Sequence, residues 1–138
     1  MKTNLNPILL ILFFTLSLPG CSKQEVIEVK APPRDITTVQ LPSVPPKYKG
    51  ILPVYRPVPL YPGVAVRNKL EGWVAFQYDV DRDGSVVNAK IVDSSPPEVF
   101  DKLALSALSR YRYKPFIENG EAVEMKDMVI SIQFEFGI

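Results

Sequence analysis

Nine prolines fall between Pro32 and Pro62, and no other occurs until Pro96. Proline fixes φ, lacks an amide donor and clashes with the preceding helical turn, so a stretch this rich in it can form neither a helix nor an interior strand. Residues 21–55 are therefore expected to be a charged and then proline-rich linker in extended or polyproline II conformation. At about 3.1 Å per residue it would reach on the order of 100 Å. Regular structure has to come from residues 56–138.

Beyond Tyr61-Pro62 the hydrophobic pattern changes period. Gly63 to Leu70 can form a short helix, stopped at Glu71-Gly72. From Trp73 to Val80 the residues alternate, with Val74, Phe76, Tyr78 and Val80 on one face. Asp81-Arg82-Asp83-Gly84 reads as a turn into a second strand, Val86 to Val92. Ser95-Pro96-Pro97-Glu98 has the form of a capping box, and the helix it would open carries Phe100, Leu103, Ala104, Ala107, Leu108 and Tyr111 at helical spacing. After Lys114-Pro115 and a turn at Glu118-Asn119-Gly120-Glu121, five alternating apolar residues, Met128, Ile130, Ile132, Phe134 and Phe136, mark a last strand. The order helix, strand, strand, helix, strand gives an α+β fold. A right-handed crossover returns the last strand beside the first, in a three-stranded antiparallel sheet ordered two, one, three with two helices on one face. The last strand is then an edge.

Several functions are excluded by residue type. There is no histidine and one cysteine, so His-based triads and His-ligated zinc cannot be assembled. A formal charge of +1 supplies no field for nucleic acid. Asp79, Asp81, Asp83 and Gly84 match the opening of a calcium loop, but the twelfth position, which needs a bidentate acid, is Lys90. A hairpin turn is the better reading. No carboxylate pair or activated serine stands out, so neither an enzyme, a metal site nor a cofactor is expected. Trp73 lies on the strand face opposite the core, where a partner or the proline-rich segment folding back would cover it. Arg110, Arg112 and Lys114 suit the carboxyl end of the second helix.

The first twenty residues have a secretory pattern. Met1-Lys2 precedes an apolar run between Pro7 and Pro19 that, at about 12 residues, is too short for a bilayer needing about 20. Residues 1–20 read as a signal peptide. Leu18-Pro19-Gly20-Cys21 resembles the bacterial lipoprotein box, which implies cleavage before Cys21 and lipid attachment there. Several acyl chains on one cysteine would hold the protein durably on a membrane. The site would be the cell envelope facing the periplasm, with the outer membrane slightly favoured over the inner.

Residues 56–138 resemble the C-terminal domain of TonB, the periplasmic energy transducer of Gram-negative bacteria. The resemblance rests on "PLYPGVAV", "LEGWVAFQYDVDRDGSVVNAKIVDSS", "FDKLALSALSRYRYKPF" and "VISIQFEF", in that order. It implies that the domain binds the TonB box of outer-membrane receptors as an added strand and so supports energy-dependent transport across the outer membrane. The edge residues would be Met128, Val129, Ile130, Ser131, Ile132, Gln133, Phe134, Glu135 and Phe136. Arg56, Tyr61 and Pro62, in the segment before the first helix, would be further receptor contacts. The chain departs from the family pattern at Val58, where a glutamine is usual, and at Val64, where a basic residue is. The family's transmembrane helix and its functional histidine have no match, so direct coupling to the motor proteins ExbB and ExbD is not expected. The alternative is a lipid-anchored envelope structural or assembly protein that reuses the fold, for instance as a homodimer paired through its edges.

Overall fold

The computed structural model describes residues 34–136. The signal segment 1–20 and the lipid attachment expected at Cys21 lie outside the described residues. The elements run α1 (Gly63–Asn68), β1 (Gly72–Val80), β2 (Val86–Ser95), α2 (Asp101–Leu108), β3 (Phe116–Glu118), β4 (Glu121–Val123) and β5 (Met125–Phe134). β2, β1 and β5 form an antiparallel sheet in that spatial order, and β3 and β4 form a separate hairpin. Among the described residues no helix is long and apolar enough to cross a membrane.

β1 is central because both of its faces can be covered. Val74, Phe76, Tyr78 and Val80 enter a core shared with Phe100, Ala104, Leu108, Met128, Ile132 and Phe134. The Phe100 ring stacks on Phe134 at 4.4 Å, and Tyr61 meets both rings edge-on. On the other face Trp73 is 4% exposed. Its indole Nε1–H donates to the Arg34 carbonyl at 2.6 Å, and the Arg34 guanidinium pairs with Asp93 at 2.7 Å. The segment ahead of the domain thus folds back over Trp73.

The turn between β1 and β2 is held by its own polar groups. Gly84 N–H donates to the Asp81 carbonyl, while the Asp83 carboxylate accepts from the Ser85 amide at 2.8 Å and its hydroxyl at 3.0 Å. Those two Ser85 bonds hold the Asp83 carboxyl below its usual value. Gly84 has φ +89, and a Cβ there would overlap the Tyr113 carbonyl. Only glycine serves both conditions.

Three expectations are corrected and one is extended. Residues 34–55 of the expected linker do not all run free: Tyr48 is 2% exposed within the core cluster, and Val44 and Ile51 pack against it. The capping box does not form. Ser95 instead ends β2, opposite Trp73, and its hydroxyl accepts the Arg34 amide at 2.6 Å, so α2 starts only at Asp101. The turn at 118–121 is flanked by short strands, with Asn119 and Gly120 both at positive φ as a type I′ hairpin requires. The first helix ends at Asn68 with Lys69 in the left-handed region, two residues before the expected end at Leu70.

Candidate functional site

β5 pairs with β1 along one rim only. Among the described residues, no backbone-to-backbone hydrogen bond reaches its other rim. A strand in that position carries a row of unmatched amides and carbonyls, each an invitation to a further strand.

The nine edge residues do not contribute alike. Met128, Ile132 and Phe134, each 2% exposed, point into the core and offer a partner chiefly their backbone. Val129, Ile130 and Ser131 are half-buried, and Gln133, Glu135 and Phe136 are exposed. The strand is also displaced relative to expectation. It begins at Met125, passes an irregularity where Asp127 takes φ +56, and stops at Phe134. Glu135 and Phe136 lie past its end, with the Phe136 amide donating to Glu71 Oε1 at 2.9 Å.

The segment before α1 runs beside this rim without pairing to it. Val58, Pro59 and Tyr61 share a groove of about 250 Å³ with Gln133, Phe134 and Glu135. Further back, Lys49, Gly50, Ile51, Leu52 and Pro53 face Met128, Val129 and Ile130 across a slot of about 200 Å³. Between these stretches the chain leaves the rim to bond Arg112: Val54 and Tyr55 amides donate to its carbonyl, and its amide donates to Tyr55.

The three pre-helix residues singled out by resemblance have local duties. The Tyr61 hydroxyl donates to the Leu70 carbonyl at 2.6 Å, and its ring meets Phe136 at 5.1 Å besides Phe100 and Phe134. Pro62 precedes α1, and its carbonyl accepts the Val66 amide at 3.0 Å. Arg56 donates from Nε to the Tyr111 hydroxyl at 3.1 Å, and its guanidinium lies 6.0 Å from that ring. Tyr61 therefore stands beside the end of β5, whereas Arg56 lines neither groove along the rim.

Sequence reasoning missed a row of apolar residues on the same segment. Leu52, Val54, Val58 and Leu60 are 60–85% exposed, every second position except Arg56. The signal was available, since apolar residues alternate with Pro53, Pro57 and Pro59 there. Solvent-facing side chains this large and this regularly placed are a contact surface in waiting.

Comparison with known proteins follows the same lines. Residues 57–136 match the family of the Gram-negative bacterial TonB protein C-terminal. The chain is 28% identical to protein TonB of Yersinia enterocolitica over 112 residues, covering 81% of this chain and 41% of that protein. It is 37% identical to protein TonB of Escherichia coli K12 over 57 residues, covering 41% of this chain and 24% of that protein. The chain thus spans well under half the length of these relatives. Among solved structures, the solution structure of the Pseudomonas aeruginosa TonB C-terminal domain aligns with a TM-score of 0.55 at 23% identity, over 65% of this chain and 90% of that one. The TonB2 protein of Vibrio anguillarum aligns with a TM-score of 0.51 at 27% identity, over 76% and 99%.

Proposed function

Since the chain belongs to the TonB C-terminal family, we propose that its domain takes a short extended segment of an outer-membrane TonB-dependent receptor as a fourth strand on the free rim of β5. The domain would face the periplasm and support energy-dependent transport across the outer membrane. The observation that carries this reading is the rim itself, unpaired in backbone terms from Met125 to Phe134 among the described residues. Four new backbone hydrogen bonds at about 1 kcal/mol each amount to about 4 kcal/mol, which alone is millimolar affinity. Tighter binding has to come from side chains, and the exposed row Leu52, Val54, Val58 and Leu60 with the aromatic end around Tyr61 and Phe136 is the surface positioned to add it. Lipid attachment at Cys21 would hold the domain at the envelope.

Titrating the 15N-labelled protein with a TonB-box peptide tests the reading. Amide shifts concentrated in residues 128–136, with a smaller set in 52–61, are expected. No binding at millimolar peptide would remove strand addition and leave the alternative, an envelope protein paired through its own edges.

A further inference from the structure

The slot between the arm and the rim is lined by two hydrogen-bonded tyrosines that have one hydroxyl proton to spare. Tyr78 and Tyr113, 2% and 4% exposed, line it, and their hydroxyl oxygens are 2.6 Å apart. Two hydroxyls bring two protons, and a single hydrogen bond between them uses one. Among the described residues neither oxygen has another side-chain or backbone partner, so one O–H is left over. Val44, Ile51, Leu52, Met128 and Ile130 make most of the wall apolar, with Lys49 on the arm side. The slot is open enough for water to take that proton in the free protein, so an apolar side chain that displaces the water does best if it can accept from the O–H itself.

We infer that this slot is a binding subsite for one apolar side chain of about methionine length, carried by the strand that adds to β5. This rests on the strand-addition reading above. Met128 and Ile130 belong to the alternation that faces the core, and an added strand turns every second side chain toward that same face. One such side chain, opposite Met128 to Ile130, meets the slot of about 200 Å³, room enough for a side chain of that size and too much for a methyl group. Methionine fits best: its stem matches the apolar walls, its thioether is a weak acceptor for the spare O–H, and sulfur packs well against the tyrosine rings. The partner is thus a receptor segment with a long apolar residue at one core-facing position.

The test is a pair of extended peptides differing only there, methionine against alanine, titrated into the full chain held in mild detergent. The methionine peptide is expected to bind about tenfold tighter, the effect of burying about two extra methylene-sized groups. Its labelled methyl should contact Tyr78, Met128 and Ile130 in the unaltered protein. In Val44→Trp, which fills the slot, the preference should fall toward one while the alanine peptide keeps its affinity. Equal binding of the two peptides, with shifts still on β5 and no methyl contact, overturns the subsite and leaves strand addition standing. Failure of both peptides to bind at millimolar concentration overturns strand addition, and the subsite with it.

Discussion

Replacing Tyr48 with alanine tests whether the arm ahead of the domain belongs to the fold. The ring is 2% exposed, meets Phe116 edge-on at 5.2 Å and lies beneath the Lys47 ammonium, 4.7 Å from its centroid. Truncating a buried aromatic to alanine costs about 3–5 kcal/mol, and the cost drops where neighbours can close the hole. Tyr48 also lines the open slot beside β5, so solvent can enter part of the space left. The lower figure applies, about 3 kcal/mol. For a domain of this size about 1 kcal/mol moves Tm by about 4–8 °C, so a fall of roughly 12 °C or more is expected in calorimetry, with a matching shift of the urea midpoint. Tyr48→Phe should cost only about 0.5 kcal/mol, because the hydroxyl's bond to the Glu124 carbonyl is long at 3.3 Å. A Tyr48→Ala protein within about 1 kcal/mol of the parent would refute the reasoning and return residues 34–55 to the status of a loose spacer.

Gly84→Ala should destabilise by about 2 kcal/mol or more, since it adds a positive-φ penalty to an overlap with the Tyr113 carbonyl, and chemical denaturation reads it directly. Trp73→Phe should cost more than area alone, because it also orphans the bond to the Arg34 carbonyl; loss of order in residues 34–38 by NMR would accompany it. Burial pushes the phenols of Tyr78 and Tyr113 up, so both folded-state values exceed the unfolded one. Stability from these groups is complete below about pH 10 and declines as pH rises above that. Tyrosinate absorbance from the pair should therefore appear only together with alkaline unfolding.

How much could be read beforehand depended on the range of the interactions involved. β1 and β5 were legible because Val74, Phe76, Tyr78 and Val80, and Met128 through Phe134, repeat with period two over enough residues to exclude a helix. The edge position of β5 followed from topology rather than from any residue. Ser95-Pro96-Pro97-Glu98 misled because its serine is claimed by a distant group, the Arg34 amide 61 positions earlier. Local capping chemistry lost to a tertiary bond. Strands β3 and β4 have three residues each, too few to show a period. Tyr48 was hidden for a different reason: prolines argue against regular structure, and an irregular arm can still deliver one aromatic ring to a core. Tyr61 and Pro62 stood out through the family resemblance, as receptor contacts; their local hydrogen bonds and the rings around Tyr61, which tie them to α1 and the end of β5, depend on tertiary packing that the sequence does not display.

Amide hydrogen exchange along β5, with and without a saturating TonB-box peptide, measures the free rim most directly. The account predicts that, in the free protein, amides of Met128 to Phe134 alternate between slow exchange toward β1 and fast exchange on the outer side. With peptide bound, the fast set should slow by about a hundredfold while the slow set hardly changes, the cost of opening about 3 kcal/mol of added pairing. Uniformly slow exchange in the free protein, or no change on the outer side at saturation, would contradict it.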